Sequence, residues 1–207
     1  MQQSKAREIM GKDFFGIEES IRYLHVKPTK NQILYLSDVP FSEQQLREGM
    51  GKYRLIAVFP LSFPEIFQLP GTRIIANNSE VERDWLNRFF SKPVLGWYLI
   101  RIEGIEGSES KDWGQQLELL EEGESVPGIW LMFYAVLTYH LATGEKPLRN
   151  IRLRCKEDLY GAHAFIGLFW EGIKISHEYD EHDCYRGSDD LRLAACKRPK
   201  REHYKGG

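Results

Sequence analysis

The densest set of chemically able side chains lies at 177–190, HEYDEHDCYRGSDD, which holds His177, Asp180, Glu181, His182, Asp183 and Cys184 within eight residues. Zinc takes imidazole, thiolate and carboxylate ligands in a tetrahedron, so His177, Asp180, His182, Asp183 and Cys184 are candidate ligands by type. Their spacing, His-x4-His-x-Cys, is neither a second Cys pair nor an HExxH helix register. A calcium loop needs Asp at alternating positions with Gly sixth and Glu twelfth, which this stretch does not have. A further arrangement uses Asp180, Asp183, Asp189 and Asp190 to hold a divalent ion, with Arg186 clamping a phosphate. That is the outline of a metal-dependent hydrolase or nuclease, and it requires carboxylates held a few ångströms apart on rigid elements. Otherwise the stretch is a solvated loop joining two strands.

Two other histidines stand apart. His140 falls near the end of an apolar run, the usual place of a satisfied core histidine. His163 opens a predicted strand and has the type of a general base. No Ser or Cys nucleophile on a recognisable elbow accompanies either. The stretch GIEGSES at 104–110 lacks the Lys-Ser/Thr of a phosphate-binding loop, and no GxGxxG follows a strand. Trp97, Trp113, Trp130 and Trp170 all fall inside predicted elements and read as core rather than as a base-stacking platform. No cofactor is expected, a divalent metal at 177–190 being the one alternative.

Charge separates the chain's end from its body. The formal net charge is −2, yet residues 197–207 carry a net of +4. Lys197, Arg198, Lys200 and Arg201, with Arg186, are the candidate phosphate or nucleic-acid contacts. Glu103 to Glu124 hold eight carboxylates and one lysine. The first 52 residues are near neutral, without the basic footprint of a DNA reader. Their helices have the lengths of a helix-turn-helix unit, with Lys30, Asn31 and Gln32 on the second. Packing on a sheet is the favoured reading for them.

The elements that must position these groups centre on IWLMFYAVLTYHLAT, Ile129 to Thr143, closed by Gly144 and followed by Pro147. At about 1.5 Å per residue this helix spans roughly 22 Å, short of a bilayer's roughly 30 Å core. It is apolar all round, so it belongs in the middle of a globular domain. With 42% hydrophobic residues the chain can build such a core. Three cysteines at irregular spacing suit a reducing compartment, no signal peptide is visible, and the expected location is the cytoplasm, with no membrane partner. Met10, Phe14, Ile17, Ile21 and Leu24 predict one helix face starting from an Asp13 cap. Thr29/Gln32, Ser42/Gln45 and Ser79/Glu82 predict capping boxes. YRLIAVFP, LGWYLIRIEG, IRLRC, AFIGLFW, IKIS and Leu191–Cys196 predict strands, with a hairpin turn at Glu171-Gly172. The sum is α+β: a helical segment over 1–52, a core domain over 53–196 with the buried helix on a mainly antiparallel sheet concentrated in the C-terminal third, and a basic flexible tail over 197–207.

The runs AREIMGKDFFGIEE (6–19), IAVFPLS (56–62) and YHLATGE (139–145) resemble a family of uncharacterised proteins recurrent in small-genome bacteria. The resemblance extends over about 6 to 196 and implies membership without an activity. That family closes on a Trp-Asp…Arg stretch and a Leu…Ala-Arg ending; here Tyr179-Asp180, Arg186 and Leu191–Lys197 stand instead, and no residue role is carried over.

Together these features predict a non-catalytic binding or interaction module of a bacterial cytoplasm, with a protein partner favoured. The alternatives are a metal-dependent hydrolase or nuclease built on 177–190, and a DNA-associated regulator using the N-terminal helices and the basic tail.

Overall fold

Two glycines decide how the chain begins. In the computed structural model, which describes residues 1–62, 65, 74–75, 93–159, 162–169, 172–177 and 189–199, helix α1 (Gln3–Met10) ends at Gly11 with φ +54. A 3-10 turn at Gly11–Asp13 leads into strand β1 (Phe14–Phe15), and α2 (Ile17–Leu24) starts after Gly16. The stripe from Met10 to Leu24 is therefore not one helix face, and Asp13 is not its cap. The extended pair sends Phe14 and Phe15 into two different core clusters, as strand alternation dictates, and Ile21 is left 45% exposed. The Glu19 carboxylate accepts the Gly16 N–H at 2.8 Å and opens α2.

Helices α3 (Lys30–Tyr35) and α4 (Glu43–Gly49) start at the capping boxes that their sequences contain. Thr29 and Gln32 exchange bonds of 2.9 and 3.3 Å, Ser42 and Gln45 bonds of 2.8 and 3.1 Å. Downstream come β2 (Arg54–Val58), β3 (Ile74–Ile75), β4 (Gly96–Ile100), α5 (Trp113–Leu117), β5 (Glu124–Ser125), α6 (Ile129–Thr143), β6 (Arg152–Leu159), β7 (Ala162–Phe169), β8 (Gly172–His177), β9 (Leu191–Leu193) and β10 (Cys196–Lys197). The Ser79/Glu82 box and Trp170 lie outside the described residues.

The fold is α+β. Among the described residues the strands form two five-stranded sheets rather than one, in the orders β1-β2-β4-β10-β5 and β3-β8-β7-β6-β9. In the first, β1 runs parallel to β2 and the other pairs are antiparallel. In the second, β6, β7 and β8 form an antiparallel meander, and β3 and β9 add to its edges in parallel. Gly172 pairs with Phe169 as a ladder residue, so it is not part of the hairpin turn predicted at Glu171-Gly172. Leu191–Cys196 is two strands, because Ala194 and Ala195 carry the chain from one sheet to the other. Ala194 N–H donates to Arg154 O and Arg101 N–H to Ala195 O, each at 3.0 Å.

Helix α6 lies in the core cluster shared by both sheets. Ile56, Val58, Tyr98 and Ile100 reach it from the first, Leu153, Cys155, Ala164, Ile166 and Ile175 from the second. Every residue from Ile129 to Thr138 is buried. Burying one large apolar side chain is worth about 1.5–3 kcal/mol, so this helix holds the molecule together. Tyr134 keeps its hydroxyl satisfied there, donating to Ala57 O and accepting from Phe59 N–H, both at 3.4 Å. At the N-terminus the Glu157 carboxylate accepts the Ile129 N–H at 2.7 Å, and Gly144 closes the other end with φ +71. Among the described residues no helix is long and apolar enough to cross a membrane.

Candidate functional site

Of the residues singled out for chemistry, Asp180, His182, Asp183, Cys184, Arg186, Lys200 and Arg201 lie outside the described residues, and His177 is the last residue of β8, its backbone opposite Ala164. Asp190 takes the Arg152 guanidinium in two bonds of 2.8 Å, and its carbonyl accepts the Arg152 N–H at 2.7 Å. It thereby fastens the approach to β9 onto β6. Asp189 accepts from the Ser110 hydroxyl. Among the described residues, no three His, Cys, Asp or Glu side chains gather in a way that could hold a metal ion. His140 sits with Nδ1 2.9 Å from the Glu145 carbonyl, and His163 stacks on Trp113 at 3.8 Å.

The start of the segment read as a flexible basic tail is built into the first sheet. Lys197 belongs to β10, with Nζ 3.9 Å from Glu121 and 5.4 Å from the Tyr53 ring centre. Arg198 lies 4.8 Å over the Tyr98 ring. The network around Lys197 is closed on itself: Arg101 holds Glu124 at 2.6 and 3.1 Å and Glu121 at 2.9 Å, Lys52 also reaches Glu121, and the Tyr53 hydroxyl donates to Glu124. Burial and the bond to Glu124 push the Tyr53 phenol far above its ordinary range, so it stays protonated.

A second ionic cluster joins β2 to the last turns of α6. Arg54 is 1% exposed; its Nη2 donates to Thr138 O at 3.3 Å, and its guanidinium lies 5.5 Å from the Phe15 ring and 4.8 Å from the Tyr139 ring. Its Nε and Nη1 make no hydrogen bond among the described residues. Burial lowers its pKa to about 10, and burial raises the carboxyl of Asp13 nearby. Tyr139 is pushed up to about 12 by burial and by donating to Glu145. Arg54 and Tyr139 both keep their protons at neutral pH, so neither is poised as a base. A cleft of about 560 Å³ opens beside this cluster, with Arg7, Lys12, Glu19 and Arg22 on its walls. Arg7 is already paired with Glu18 at 2.7 Å and with Glu19.

The feature that sequence reasoning missed is the outer face of α3. None of its residues is buried: Ile33 is 43%, Leu34 74% and Tyr35 60% exposed. The next residue anchors it. Leu36 is fully buried, and its carbonyl accepts from Gln3 Nε2 at 3.0 Å and Trp97 Nε1 at 3.2 Å. Arg22, Lys27 and Lys30 are exposed nearby in sequence, and no Asp or Glu occurs from Ser20 to Ser37. The signal was present in the run Ile33-Leu34-Tyr35-Leu36: at 100° per residue, four consecutive apolar positions wrap most of a helix, and packing on one side leaves some of them outside. No protein family, no curated protein and no solved structure matches the chain.

Proposed function

We propose that this chain is a non-catalytic protein-interaction module, and that the α3 face docks an apolar segment of a partner protein that also carries carboxylates. The observation that carries this reading is a helix capped at its start, anchored at its end, and contributing no buried side chain of its own. Ile33, Leu34 and Tyr35 leave much of their apolar surface in water, and a partner would gain up to about 1.5–3 kcal/mol for each large side chain it covered. Lys27 and Lys30, in a stretch with no Asp or Glu from Ser20 to Ser37, favour negative charge in that partner. The non-catalytic part is supported by the two ionic clusters: in one the described charges answer one another, and in the other Arg54 and Tyr139 hold their protons at neutral pH. A reducing cytoplasm fits the same reading, since the buried free thiols Cys155 and Cys196 serve as small core residues.

A photo-crosslinking residue placed at Leu34 in expressing cells tests this. A discrete protein adduct is expected from position 34 and none from Gln44, an exposed control on α4. Equal labelling from both positions, or no adduct at all, rejects the docking face. Cross-linking to nucleic acid with a steep salt dependence would instead favour the DNA-associated alternative.

A further inference from the structure

We infer that the partner segment is supplied by a second copy of this chain, whose acidic stretch Leu117–Glu122 docks on the α3 face of its neighbour. This rests on the docking reading of α3. The stretch reads LELLEE, and no Lys or Arg occurs from Asp112 to Glu145. Leu117 is 37% exposed, and Glu118 and Glu122 are exposed and make no ion pair among the described residues. The two surfaces are complementary: Leu117 against Leu34 and Ile33, the carboxylates of Glu118 and Glu122 against Lys27 and Lys30.

The acidic stretch is held ready on the body. Asp112 caps α5, accepting the Gln115 N–H at 2.9 Å, and buried Gln116 donates to Ser108 O at 2.7 Å and Leu191 O at 3.2 Å. Leu119 and Leu120 turn inward onto Ile105, Leu193 and Ala195. A segment already ordered loses little freedom on docking. The face it meets is anchored on a different core cluster, through Leu36 beside Trp97. Each chain therefore carries both halves of the contact at separate places, the condition for head-to-tail association. The patches are small, which makes the association weak and concentration-dependent.

Analytical ultracentrifugation of the full chain tests this. The wild-type mass should rise with concentration and fall back when salt is raised. K27E/K30E and E118K/E122K should each weaken association about tenfold or more. An equimolar mixture of the two should associate again, since each retains the surface the other has lost; recovery also shows that both variants are folded. A wild type that stays monomeric, or a reversal variant that associates like wild type, overturns the proposal. If the wild type is monomeric while position 34 still cross-links to one other protein, the self-partner is wrong and the docking face stands. If position 34 gives no adduct, both fall.

Discussion

Arg54 is a cation in an apolar strand, and its surroundings show what the residue scale contributes. In YRLIAVFP it reads as one polar letter in a buried run. Folded, it ties β2 to the carbonyl of Thr138 and lies between the rings of Phe15 and Tyr139. Tyr139 shares the cost of that crowding. Its phenol ionises near 10.0 in the unfolded chain and near about 12 in the folded one, because burial and the Glu145 bond hold the proton. Between those values the unfolded chain gives up a proton that the folded chain keeps, so stability falls as pH rises. Y139F removes this loss. In denaturant titrations, the stability difference between Y139F and wild type should be constant below pH 10 and move in favour of Y139F toward pH 12. Parallel curves across that window would count against the assignment.

At the scale of elements, α6 was legible from end to end, because an apolar surface on all sides admits only a buried helix, and Gly144 marks its stop. What satisfies its first N–H was not legible. The cap is the Glu157 carboxylate, 28 residues downstream on β6, and no local motif announces it. Gly128 leaves room for that carboxylate, since a Cβ there would lie 2.5 Å from Glu157 Oε1. E157A should cost about 1–2 kcal/mol, the range of a lost helix cap. G128A should cost a similar amount, because it displaces the same carboxylate. Combined, the two should cost little more than either alone, as a double-mutant cycle in urea would measure. Strict additivity would mean that the clash is relieved elsewhere. The opening helices teach the converse lesson. Their apolar spacing fitted a helix, but Gly11 and Gly16 broke it, and the same letters served two core clusters through a strand.

For the whole molecule, the last strands matter most. Leu191–Leu193 completes one sheet, and Cys196–Lys197 lies between β4 and β5 in the other. Truncation after Ala195 removes β10 and separates β4 from β5, so the protein should lose cooperative unfolding and become insoluble. Truncation after Pro199 keeps all of these pairings, and its thermal midpoint should stay at the wild-type value, within the roughly 0.5 kcal/mol of a surface change. A marked loss in the longer variant would show that residues beyond 199 support the fold. Charge composition made the basic end visible; only pairing shows that Lys197 is part of a sheet and of the network around Tyr53.

Local chemistry was enough to determine the α+β class, the buried central helix and the capping boxes at Thr29 and Ser42, since periodicity and capping act over a few residues. Strand partners, the division into two sheets, the cap from Glu157 and the exposure of Ile33, Leu34 and Tyr35 were decided by tertiary structure. Each depends on which distant surface a side chain meets. Short-range spacing reports how apolar a face is; whether that face is covered depends on the shape of everything packed around it.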